Sequence, residues 1–377
     1  MKVALASNTA WLDEELVWFE QLTVGMVSES IGVVQVVPEV LGEQVQSNFA
    51  DSVFWQETRP GWWNRWRMTR AAEALTAHKV DVLHALDGRL WPGVVRLGQM
   101  LELPVVLNAG SKLDVQTFKK VARRLASLPG VCLVPLSDAA ERQLEPLMST
   151  IKSESVWSQA VVRGVHVDPA AAPRPRGNGD PVCVVVSGNG RLDAHYEAVL
   201  NAIAQVVRRF DQAQFFFDGM HDDQQEIYRL ARRLGLLPHV SFTPRQLGHR
   251  EVLLGADVLV HPQPLGRSRG LLLQAMAHGM LVIAQADPWA DGLIHNQTAW
   301  VVEKPDAAAW TQQLNQAIGQ ADAAEALGQQ ALDWVREHRR MSDTVDQFIE
   351  VYDKIAGRTL AFNAPTPAPA PGSSAGK

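Results

Sequence analysis

The stretch Gly255–Gly279, GADVLVHPQPLGRSRGLLLQAMAHG, decides the fold. Val258–Val260 is wholly apolar and reads as a strand buried on both faces. Pro262 and Pro264 turn the chain into a loop. Gly270 then opens an apolar helix, Leu271 to Ala277. A glycine at a helix start lets phosphates approach the N–H groups of Gly270, Leu271 and Leu272, and the helix dipole favours their charge.

Working outward, strand and helix alternate through most of the chain. Continuous apolar runs predict strands at Lys2–Ala6, Gly32–Pro38, Val80–Ala85, Leu103–Asn108 and Val131–Leu136. Helical spacing predicts helices at Asp13–Val27, Trp66–His78, Pro92–Leu101 and Thr117–Ser127, and one from Asp138 capped by Ser137. The acids that open the first of these are read as partners of its dipole. The stretch from Asp168 to Pro181, DPAAAPRPRGNGDP, cannot build a core and reads as a linker. Alternation then restarts, with strands at Val182–Val186, Gln214–Asp218, His239–Phe242, Val258–Val260, Leu281–Ala284 and Trp300–Val302. Helices are expected at Tyr196–Phe210, Asp223–Leu234, Arg250–Leu254, Ala307–Gln320, Ala324–Arg339 and Ser342–Ile355, the last capped by its serine. The fold class is therefore α/β, with two doubly wound Rossmann-like domains facing across a cleft. The expected organisation is an N-terminal domain over 1–168, a linker over 169–181 and a C-terminal domain over 182–340. A helix over 341–357 packs back toward the N-terminal domain, and a Pro-rich tail over 364–377 is disordered.

Composition bounds the function. The 377 residues carry a net charge of −6, are 46% hydrophobic and are 20% charged. An acidic balance argues against a nucleic-acid binder, which needs cations for phosphate. Cys132 and Cys183 are isolated in apolar runs, so buried thiols in a reducing compartment are expected rather than a metal site. No run of 18 apolar residues exists to span a bilayer, and MKVALASNTA is too short for a signal peptide. The expected location is the cytoplasm.

From about residue 80 to 355 the chain resembles the family 4 retaining glycosyltransferases (group 1), which have the GT-B fold. Ala256–Pro262 and Gln274–Gly279 are similar to that family's "ADVFVLPS" and "EAMACG". Asp81–His84 with Pro104–Asn108, Val134–Ala139, Val162–Val167, Gly188–Asp193 (GNGRLD), Phe217–Gly219 and Val240–Pro244 resemble further family motifs in the family's order. The resemblance implies a nucleotide-diphosphate sugar as substrate, no metal, and transfer with retention. Fixed cations and N–H groups must then meet the charge that develops on the departing phosphate. It implies donor-binding roles for Gly188, Arg191, Thr243, Arg267, Gly270, Leu271, Leu272 and Gln274, with Arg191, Arg267 and Gln274 as candidates for catalysis. His84, Asp87 and Asn108, at or just past strand ends, are the acceptor-side candidates.

The chain departs from the family where chemistry is done. The lysine expected about six residues after the loop arginine is absent from His195–Glu197. The second glutamate of the E-x7-E pair falls on Gln274, which accepts a hydrogen bond without supplying charge. The first falls on Arg267 or Gly266, and a cation at that place inverts the local field. Asn108–Ser111 replaces a strand-end histidine, and bulky Trp11 stands where a glycine pair is usual. Two readings follow: a transferase acting on an unknown glycan or lipid-linked acceptor, or a catalytically degenerate relative that binds a nucleotide, glycan or protein. A sugar-nucleotide epimerase is a third, for which no acid/base groups can be placed. Trp55–Arg70, WQETRPGWWNRWRMTR, interleaves Trp55, Trp62, Trp63 and Trp66 with arginines. Such a segment can touch a membrane's inner face, stack on a sugar or pack over the N-terminal domain.

Overall fold

The computed structural model describes residues 1–45, 48–55, 64–175, 180–220, 225–244 and 255–362. Its first sheet has seven strands in the order β3-β2-β1-β4-β5-β6-β7: β1 Lys2–Ala6, β2 Gly32–Pro38, β3 Asp51–Trp55, β4 Val82–Ala85, β5 Val105–Ala109, β6 Val131–Pro135 and β7 Val156–Ser158. Helices α1 Thr9–Ser28, α2 Asn64–Ala77, α3 Trp91–Leu101, α4 Lys112–Leu125 and α5 Asp138–Met148 connect them. The second sheet has six strands ordered β10-β9-β8-β11-β12-β13: β8 Cys183–Ser187, β9 Gln214–Met220, β10 Val240–Pro244, β11 Val258–His261, β12 Leu281–Gln285 and β13 Trp300–Val302. Its helices are α6 Ala194–Val206, α7 Gln225–Arg233, α8 Gly270–Ala277, α9 Ala307–Gly319 and α10 Ala321–His338. A last helix, α11 Met341–Phe362, follows.

All pairings in both sheets are parallel. Central strands such as β5, β6, β11 and β12 are buried along their whole length, as helices on both faces require. The two strands absent from the sequence reading are edges. β3 alternates exposed and buried positions, and β7 has three residues. Trp55, the first tryptophan of the aromatic segment, ends β3, where it is buried and donates Nε1–H to the Ser7 carbonyl at 3.3 Å. Trp66 is 67% exposed. Trp62 and Trp63 lie outside the described residues, as do the expected helix Arg250–Leu254 and the tail over 364–377.

α11 returns to the first half. Phe348 and Tyr352 join the cluster formed by Trp18, Phe19, Leu22 and Val106. It begins at Met341, so Ser342 lies inside the first turn rather than capping it, and its hydroxyl contacts Asp343. Outgoing and returning strands touch, with Val165 N–H on the Arg339 carbonyl at 2.8 Å and Met341 N–H on that of Val165 at 3.2 Å. A Cβ on Gly164 would stand 2.2 Å from the Arg340 oxygen, so only glycine allows this approach. No helix among the described residues is long and apolar enough to cross a membrane.

Beneath α11 lies His84. Tyr352 donates its hydroxyl to Nδ1 at 2.6 Å and Nε2–H donates to Asn108 Oδ1 at 2.7 Å, a pairing that fixes the neutral tautomer. Burial pushes the His84 pKa down to about 4, and burial with the Arg269 charge pushes that of His261 down to about 3. Between pH 6.5 and 4 the unfolded chain binds protons that these folded rings refuse. The stability contributed by these two rings is therefore full above pH 6.5 and is lost as pH drops toward their folded pKa values, about 3 kcal/mol of it from His84. Urea midpoints should fall between pH 7 and 4.5, and His84→Gln should flatten that slope while lowering stability at pH 7. An unchanged slope would show that His84 does not carry the effect.

Candidate functional site

Strand ends of the second sheet form the first layer. At the end of β8, Gly188 sits so close to its neighbours that a Cβ would meet Gln263 Oε1 at 2.5 Å and the Tyr196 hydroxyl at 2.9 Å. Gln263 ties this loop to the one after β11. Its Oε1 accepts from Asn189 N–H at 2.8 Å and its Nε2 donates to Asp193 Oδ2 at 2.6 Å. Asp193 caps α6 through the His195 and Tyr196 N–H groups, instead of pairing with Arg191. The Arg191 backbone N–H donates to Asn189 Oδ1 at 2.8 Å, and the residue is exposed.

Next to these loops, α8 starts at Gly270, and its first N–H groups have no intrahelical acceptor. Arg269 precedes it and is 3% exposed. Its Nη1 lies 3.3 Å from His261 Nδ1. That nitrogen already donates to the Ser187 carbonyl at 2.7 Å, so it has no lone pair to offer. Nε approaches Glu14 Oε2 only to 3.5 Å, without hydrogen-bond geometry, and Nη2 has no partner among the described residues. A buried guanidinium with unmet donors is costly, and burial lowers its pKa.

α1 of the first half brings two carboxylates to this place. Glu15, 4% exposed, pairs with Arg163 Nη2 and accepts the Gly270 N–H at 3.2 Å. Glu14 pairs with Arg267 at 2.6 Å. α1 begins at Thr9 with Asn8 as its cap, so these acids lie beyond the first turn; they face arginines rather than serving the dipole. Backbone bonds join the halves alongside: Lys112 N–H to the Gly266 carbonyl at 3.0 Å, and Ser268 N–H to that of Gly110 at 2.9 Å.

Beside this bridge opens a pocket of about 430 Å³. Trp11, Glu14, Asp87, Arg89, Lys112, Gln116, Arg163 and Arg267 are among its walls. Asp114 shapes it from behind, accepting N–H bonds from Gly88, Gly110 and Ser111 at 2.8–3.0 Å. Burial and the Asp87 charge push the Asp114 carboxyl up to about 7 against those three donors.

Two parallel-sheet halves with a polar pocket between strand ends have close counterparts among solved structures. Sucrose-phosphate synthase from Thermosynechococcus elongatus superposes with a TM-score of 0.73 at 16% identity, covering 95% of this chain and 99% of its own. HepE from Anabaena, in complex with UDP-glucose, gives 0.70 at 14% identity, covering 94% and 100%. A glycosyltransferase from Rickettsia africae gives 0.69 at 13%, covering 94% and 98%. The fold is GT-B. Residues 170–334 match the family described as glycosyl transferases group 1. No curated protein matches the chain.

In this GT-B cleft the structure gathers some of the expected residues and separates others. Arg267 and Asp87 line the same pocket. Gly270 does not present a free amide, since Glu15 holds it. Arg267 points to Glu14 rather than toward Gly270 or Arg191. Leu271 and Leu272 are buried in the first turn of α8. Gln274 is buried, borders another pocket with Gln21, His166 and Arg174, and carries its Nε2 3.6 Å from where a Cβ on Gly270 would stand. Thr243 donates its hydroxyl to the Phe217 carbonyl at 3.1 Å. His84 and Asn108 are fully buried under α11, not in the GT-B cleft, with both His84 ring nitrogens bonded in the core to Tyr352 and Asn108. Glu14, Glu15, Arg163 and Gln263 were not singled out as site residues from sequence alone.

Proposed function

We propose that the protein binds a nucleotide-diphosphate sugar by its diphosphate at the N-terminus of α8 and transfers the sugar, with retention, to an acceptor in the adjoining pocket. One observation carries this reading: the buried Arg269, with unmet donors, stands against a helix N-terminus. Three guanidiniums, Arg163, Arg267 and Arg269, face two carboxylates there, which leaves positive charge for an anion. The group 1 match over residues 170–334 and the UDP and UDP-glucose complexes of HepE support the same ligand class. In this reading guanidinium and amide groups meet the departing phosphate, and no metal takes part.

A second reading is a binding protein without turnover. Glu15 on Gly270 and Arg267 in place of a family carboxylate favour it. Incubation with a panel of nucleotide sugars, measuring released nucleoside diphosphate, separates the two. Slow release from one donor supports transfer; calorimetric binding without any release supports the second reading. Absence of both binding and release would reject nucleotide recognition altogether.

A further inference from the structure

The carboxylate of Glu15 sits where an anion would be expected to sit. It is buried, accepts the Gly270 N–H at 3.2 Å and pairs with Arg163. The fit is close: a Cβ on Gly270 would lie 2.5 Å from Glu15 Oε2 and 2.9 Å from Arg163 Nη2. The carboxylate reaches this point from α1 in the other half, 255 residues away in sequence. Its neighbour Glu14 engages Arg267, and two backbone bonds join Gly110 and Lys112 to Ser268 and Gly266. The contacts around α8 that cross the cleft here are therefore polar, and they centre on the cations and the helix start.

We propose that Glu15 is a built-in competitor for the diphosphate: the same N–H group and guanidinium serve either its carboxylate or a phosphate, so donor entry requires Glu15 to leave and the halves to unlatch. The proposal rests on the anion-site reading above. A carboxylate and a diphosphate are both acceptors of the same donors, and two like charges cannot share one buried helix N-terminus without strong repulsion. Displacing Glu15 frees Arg163 as well, so a phosphate gains a cation as it gains the amide. Glu14 stays paired with Arg267 in the first step, and its release widens the opening.

The competition has a sign that a purely structural ion pair lacks. A ligand-binding residue weakens binding when neutralised, whereas a competitor strengthens it. Calorimetric titration of UDP, GDP and inorganic pyrophosphate into wild type and Glu15→Gln tests this directly. Glu15→Gln is expected to bind at least one of them about tenfold more tightly, in line with removal of one charge-assisted competitor. If that variant folds only marginally because Arg163 loses its partner, the pyrophosphate concentration that half-saturates its rise in melting temperature should still lie below that of wild type. Equal or weaker binding by Glu15→Gln, with wild type binding clearly, overturns the competition and leaves the anion site standing. No binding of any of the three by either protein overturns both.

Discussion

Arg269→Met is expected to weaken nucleoside diphosphate binding by about 100-fold or more, since it removes a desolvated cation and its hydrogen bonds from the site. The same change should leave thermal stability unaltered or raise it. Arg269 is 3% exposed, and its Nε and Nη2 have no hydrogen-bond partner among the described residues. Replacing an under-satisfied buried charge by an apolar side chain of similar length removes a desolvation cost. Glu14 keeps Arg267 as its partner in the variant. The combination is diagnostic, because residues held for function often oppose stability. Calorimetry with UDP and a melting curve on the same sample read both effects. Loss of stability with unchanged affinity would mean that Arg269 serves the fold and not a ligand.

Phe348→Ala is expected to cost about 3–5 kcal/mol, the usual penalty for emptying a large buried ring. Phe348 is fully buried in α11, 4.9 Å from the His84 ring and 6.5 Å from that of Trp18. Trp18 in turn donates its Nε1–H to the Gly164 carbonyl at 3.1 Å and lies under the Arg163 guanidinium at 4.9 Å. Loosening α11 thus reaches the Glu15–Arg163 pair through one side chain. Urea unfolding should show the lowered midpoint, and a loss under about 1 kcal/mol would mean that α11 adds little to the first half.

How much of this was readable in advance follows from burial. β1, β2, β11 and β12 are covered on both faces and read as unbroken apolar runs. β3 escaped notice because one face meets solvent and aspartate opens it. Glycines at close approaches, Gly188 and Gly270, were legible because a phosphate loop and a tight packing contact both demand them. Glu14 and Glu15 were not, since acids early in a helix have an ordinary local explanation. Their partners lie between 148 and 255 residues away, a distance no local pattern reports. His84 and Asn108 looked like cleft residues because they occupy the end of β4 and of β5; only the position of α11 shows that they are covered. Arg267, one of the two positions at which the resemblance would place a carboxylate, pairs with an acid supplied from across the cleft.

The most direct measurement is a crystal structure of the protein with UDP bound. A phosphate oxygen is expected within hydrogen-bond distance of the Gly270 N–H and of the Arg269 guanidinium, with the Glu15 carboxylate moved off α8. A diphosphate seated elsewhere, with Glu15 still holding Gly270, would contradict it.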